Sequence, residues 1–114
     1  MEAGRPPLIG WPVRHFAVFC TDGPEAAERR AAAIEAHKRY MESVWRQVAV
    51  AGPLHDPSDG RVVGSLYLVC AVDEAEARRV IESDPFFAAG IWQDVGLSAF
   101  TPALGTWPGG RIWD

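Results

Sequence analysis

Two cysteines in 114 residues are too few to staple a fold. Cys20 and Cys70 stand in no C-x-x-C pair, each near the end of an apolar stretch. Both are expected to be reduced and to pack as small hydrophobes. Histidine is nearly as scarce. His15, His37 and His55 show no metal-ligand spacing, so no metal is expected. Lys and Arg number 11 against 15 Asp and Glu, with no basic cluster to neutralise phosphates, which argues against a nucleic-acid partner. The longest apolar run, Leu66 to Val72, falls far short of the roughly 20 residues that cross a bilayer, so no membrane partner is expected. The Met1-Glu2-Ala3 start lacks an apolar h-region and a cleavage pattern, and the expected location is cytoplasmic. There is no repeat, no low-complexity segment, and no glycine pattern of the G-x-G-x-x-G or P-loop kind. No serine elbow and no Cys–His context offers a nucleophile.

What is present suits one globular domain spanning 1–114. Hydrophobic residues make up 48% and charged residues 23%, enough for one core without staples. Met1 to Val13 reads as an irregular arm with Trp11 tucked against the body, and Leu104 to Asp114 as a Gly/Pro/Trp tail. Between them, His15 to Cys20 reads as a strand. Asp22, Pro24 and Glu25 look like a capping box opening a helix that runs to about Trp45. Gln47 to Ala51 reads as a second strand stopped by Gly52-Pro53, and Leu54 to Gly60 as a turn segment in which His55 and Asp56 are solvated. Val62 to Val72 is a third strand. Asp73 to Ser83 is a second helix with Ala77, Val80 and Ile81 inward. Asp84 to Gly90 is a short irregular or single-turn piece, and Gln93 to Thr101 a fourth strand.

The order is β-α-β-β-α-β. It predicts an α+β, ferredoxin-like fold: a four-stranded antiparallel sheet with two helices on one face. In that topology the two cysteines lie at opposite ends of neighbouring strands, too far apart to bond. The strands are apolar at both parities: Phe16 and Val18 against Ala17 and Phe19, Leu66, Leu68 and Cys70 against Tyr67, Val69 and Ala71. Two helices cover one face only, so the other is expected to bury itself against a second copy, giving a homodimer.

One residue breaks the apolar pattern. His37 sits in the stripe Ile34, His37, Met41, Val44, where a core-facing helix has aliphatics. A buried imidazole needs a polar partner. The best candidate in sequence is Asp84, in Ser83-Asp84-Pro85-Phe86.

The residues that match a known pattern are His37-x-x-Tyr40, Ala51-Gly52-Pro53-Leu54, Gly64-Ser65-Leu66, and the run from Ser83 to Trp92, SDPFFAAGIW. In this order they resemble the YCII-related family, small proteins of the dimeric α+β barrel type, from about Arg14 to Pro102. The resemblance implies a two-chain assembly and a His–Asp pair, here His37 and Asp84, as the catalytic centre. It also implies proton-transfer chemistry without an organic cofactor: dehydrochlorination of a hydroxylated ring, or lactone isomerisation. Ile34 stands where family members often carry a basic residue.

The expected function is thus elimination or isomerisation of a small, largely apolar or aromatic substrate. His37 moves the proton and Asp84 holds its tautomer. Tyr40, Ser65, Phe86 and Trp92 are candidate substrate-binding residues. Each also has a plainer reading: His37 as a satisfied core histidine, Asp84 as a helix N-cap before Pro85, Tyr40, Phe86 and Trp92 as packing, and Ser65 as a small residue under a helix. The alternative function is a non-catalytic ligand-binding or structural dimer. A cavity reaching His37 separates the two.

Overall fold

The computed structural model describes residues 14–106 and 110–111. The expectations for the arm before Arg14, Trp11 included, lie outside the described residues. The elements are β1 (Arg14–Asp22), α1 (Ala26–Val44) with a closing 3-10 turn (Trp45–Gln47), β2 (Val48–His55), β3 (Val62–Ala71), α2 (Glu74–Glu82), α3 (Pro85–Ala88) and β4 (Trp92–Phe100). A two-residue ladder in the tail follows, β5 (Leu104–Gly105) with β6 (Gly110–Arg111). The main sheet has the order β2-β3-β1-β4, and every neighbouring pair in it is antiparallel. This is the βαββαβ arrangement read from the sequence.

Two local readings differ. Strand β2 runs straight through Gly52-Pro53, with Pro53 opposite Ser65. It is an edge strand, where a residue without an N–H costs no ladder bond on its open side. At the start of α1 the N-cap residue is Glu25, with no side-chain cap. Asp22 takes Arg30 instead, accepting from Nη1 at 2.6 Å and Nη2 at 3.2 Å. A two-pronged, charge-assisted contact outcompetes a single cap bond.

One sheet face carries the core. Phe16, Val18 and Cys20 of β1 lie beside Val69, Tyr67 and Ser65 of β3, and the helices cover them with Ala77, Val80 and Ile81 from α2. Met41 and Val44 of α1 pack on the same cluster, and Ile34 joins a second one around Phe86 and Ile91. Each fully buried aliphatic here contributes about 1.5–3 kcal/mol of transfer free energy. Gly64 is required by the ladder: a Cβ there would stand 2.2 Å from the Cys20 carbonyl oxygen. None of the described helices packs on the opposite face. Phe19 is 53%, Val50 55% and Phe100 41% exposed. Both cysteines are free, with Cys70 opposite His15 and Cys20 opposite Ser65, at the two ends of the β1–β3 ladder.

Candidate active site

Asp84 is the N-cap of α3. Its extended backbone, followed by Pro85 at the first helical position, turns the chain so that its side chain accepts from the Phe86 amide at 2.9 Å. The carboxylate is wholly buried. Such a charge is tolerable only if its oxygens are satisfied. Tyr67, on β3, donates its hydroxyl to Oδ2 at 2.8 Å. His37, from the inner stripe of α1, approaches with Nδ1 at 2.8 Å from Oδ1 and 3.0 Å from Oδ2. The cap and the partner of His37 are therefore one residue, as two oxygens permit.

A carboxylate only accepts, so Nδ1 of His37 carries the proton and Nε2 holds a lone pair in the neutral ring. Among the described residues nothing hydrogen-bonds to Nε2. The imidazole lies flat on Phe86, centroids 3.7 Å apart and planes 2° from parallel. Trp92 meets both Phe86 and Tyr67 edge-on, at 6.1 and 6.0 Å, and so fixes the two rings that fix the pair. Burial, and then the charge of Asp84 and its hydrogen bond, push the Tyr67 phenol far above its ordinary range, so it stays a donor.

The imidazole borders a cavity of about 420 Å³. That volume suits a small ligand. Its walls are mainly apolar, with Ile34, Met41, Pro53 and Val62 around His37, Ser65 and Phe86. A wider hollow of about 970 Å³ adjoins it through the shared residues Arg30, Ile34 and Val62 but does not touch His37. Of these two cavities, the smaller is the one that borders the dyad.

Of the residues singled out in sequence, His37, Asp84, Ser65 and Phe86 come together here. Ser65 is reached by Arg30 Nη2 at 3.2 Å. Tyr40 faces α2, where its hydroxyl donates to the Val80 carbonyl, and it does not line this cavity. Trp92 stands behind Phe86. Sequence reasoning missed Tyr67 and Arg30. His55 lies at the end of β2, bonded to the Gly60 carbonyl. Among the described residues no cluster of three potential metal ligands occurs. None of their helices is long and apolar enough to cross a membrane.

The fold has known relatives. The chain aligns with 5-chloro-2-hydroxyhydroquinone dehydrochlorinase of Burkholderia phenoliruptrix, solved with 2,5-dihydroxybenzoquinone, at a TM-score of 0.71 and 24% identity over 82% of this chain and 97% of that one. At that identity the likeness establishes the fold. A dimeric ferredoxin-like protein of Thermobifida fusca aligns at 0.42 and 14% identity over 83% of this chain and 94% of that one, a likeness too loose to argue from. No curated protein sequence matches. The profile of the YCII-related domain matches residues 15–101. With its split β-α-β sheet and that match over most of its length, the chain belongs to the YCII-related family.

Proposed function

We propose that the chain is a small-molecule enzyme that moves a proton with His37 as the base and Asp84 as the group that holds and charges it. One observation carries this reading. The histidine whose Nδ1 is held by a buried carboxylate borders a small apolar cavity, and among the described residues its other nitrogen has no hydrogen-bond partner. A pair serving only to pack the core would need no hollow beside it.

The chemistry follows from the arrangement. The Nε2 lone pair takes a proton from the ligand, and the positive charge that forms on the ring is met by Asp84. In an isomerisation the proton returns at another atom. In an elimination the C–H pair becomes a π bond, and the leaving group departs with the electrons of its own bond. Ser65 and Phe86 flank the ligand, and Tyr67 and Trp92 hold the base in place. The two free cysteines fit a reducing, cytoplasmic setting. The exposed Phe19, Val50 and Phe100 on the other sheet face suit a homodimer.

The dehydrochlorinase likeness makes chlorinated hydroquinones the first compounds to try, with phenols and lactones beside them. Chloride release and solvent-deuterium uptake are measured with wild type and His37→Ala. Turnover by wild type that His37→Ala loses by roughly 10²-fold or more supports the reading. Turnover retained by His37→Ala, or ligand binding elsewhere, contradicts it.

A further inference from the structure

Two hollows lie end to end along one face of α1. The cavity that borders His37 takes Ile34, His37 and Met41 from the helix, and the wider hollow takes Ala27, Ala31 and Ile34. These positions recur every three or four residues, so they form one stripe. The opposing wall is equally continuous. Val62 of β3 lines both hollows, Val63 the wider one and Tyr67 the cavity. Together they make one trench, about 420 Å³ at the His37 end and about 970 Å³ beyond Ile34. The proposed proton transfer uses only the smaller end. Ala27 and Ala31 keep the wider end open: both are exposed, and their methyl groups leave unfilled the space that longer side chains would take.

We infer that the trench seats an extended ligand, whose reacting head lies beside His37 and whose uncharged hydrocarbon tail runs past Ile34 into the wider hollow. The place of the head rests on the proposed role of His37, and the tail is an addition to it. Ile34 and Val62 line both hollows, so a ligand that occupies both touches them. They are the specificity-determining residues for the tail.

Charge decides between a charged and an uncharged tail. Three charged side chains line the wider hollow: Asp22, Arg30 and Arg61. Asp22 and Arg30 pair at 2.6 Å, and Arg61 faces Asp56 and Asp59 at 3.5 and 3.7 Å. Each is matched within the chain. A charged tail would give up hydration here and find no opposite charge left over. A hydrocarbon tail meets the stripe of Ala27, Ala31 and Ile34 on one side and Val62 and Val63 on the other, and gains by leaving water. Length fits as well. Ala31 lies about 9 Å along the helix axis from His37. That span is covered by a ten-carbon chain and not by a four-carbon one.

The test is an NMR titration of wild type and Ala31→Phe with 1-butanol, 1-hexanol, 1-octanol and 1-decanol. These probes share a hydroxyl that can donate to Nε2 of His37, carry no charge, and differ only in the tail. In wild type the affinity is expected to rise about threefold per added methylene, and the amide signals of Ala31 and then Ala27 to join that of His37 as the chain lengthens. Ala31→Phe is expected to bind 1-butanol within about twofold of wild type and to lose at least about tenfold for 1-decanol. The position is exposed, so the fold is expected to accept the ring. Should it not, Ala27→Phe blocks the far end of the same hollow and is read in the same way. An equal gain with chain length in wild type and variant, or shifts that never reach Ala31, overturns the inference. So does a wild type without chain-length gain whose Phe variants change oligomeric state, which assigns the hollow to a second copy of the chain. None of these readings involves a proton transfer. A missing tail site therefore leaves the role of His37 standing, and tail binding without any turnover counts against that role alone.

Discussion

Tyr67 reaches from the central strand β3 to place its hydroxyl 2.8 Å from Oδ2 of Asp84, deep under the helices. With the Phe86 amide and His37 Nδ1, the carboxylate is held by three donors from three elements of the chain. The orientation of the His37 imidazole is therefore set by the core, not by a loop.

Removing the Tyr67 hydroxyl leaves a buried carboxylate one donor short. Tyr67→Phe is expected to cost about 1–3 kcal/mol in urea unfolding and to lower turnover without abolishing it. An unchanged midpoint would mean that the hydroxyl contributes nothing to holding Asp84.

Asp84→Asn is expected to act on the tautomer. An amide NH₂ facing Nδ1 turns that nitrogen into an acceptor and moves the ring proton to Nε2, where the base should be. Turnover is expected to fall roughly 10²–10⁴-fold while the circular dichroism spectrum stays that of wild type. Near-normal turnover would remove Asp84 from the mechanism.

Cys20 sets an alkaline limit on stability. Burial foremost, then the negative charges of Asp84 and Asp22, push its thiol from 9.0 up to about 12. The unfolded chain gives up this proton near 9.0 and the folded chain keeps it. The contribution to stability is thus complete below pH 9.0 and is lost as pH rises from there to about 12. The loss runs at roughly 1.4 kcal/mol per pH unit, and Tyr67 adds to it only above its own ordinary value of 10.0. Unfolding free energies of Cys20→Ala, measured between pH 9 and 10, are expected to fall less steeply than those of wild type. Equal slopes would contradict the assignment.

The helix-free face offers Phe19 and Val50 to solvent. Light scattering is expected to find a dimer for wild type, and a monomer that still folds for Phe19→Glu combined with Val50→Lys. A monomeric wild type would refute the pairing of these faces.

The pair at the centre of the site was legible because His37 interrupts an aliphatic stripe of fixed period, and because Ser-Asp-Pro marks a cap. Arg30 was not. It lies in the Ala/Glu/Arg half of α1, where a charge reads as solvated, and only the fold brings it under Asp22 and Ser65. Tyr67 stood in a strand apolar at both parities, where no pattern sets a hydroxyl apart from packing. Tyr40 follows His37 by three residues, about 60° short of a full turn in angle, and that offset swings it toward α2 and the Val80 carbonyl. The reading of β2 as ending before Gly52-Pro53 failed because proline's penalty depends on whether a strand lies at an edge, which sequence alone does not show.

The central claim, that His37 is a base with its free nitrogen open to a ligand, is tested most directly by nitrogen NMR of its imidazole. In the ligand-free protein with a neutral ring, Nδ1 is predicted to carry the proton and Nε2 to be bare. Adding 4-nitrophenol is predicted to move a proton onto Nε2. A proton on Nε2 in the free, neutral ring, or a spectrum that the ligand leaves unchanged, would contradict the account.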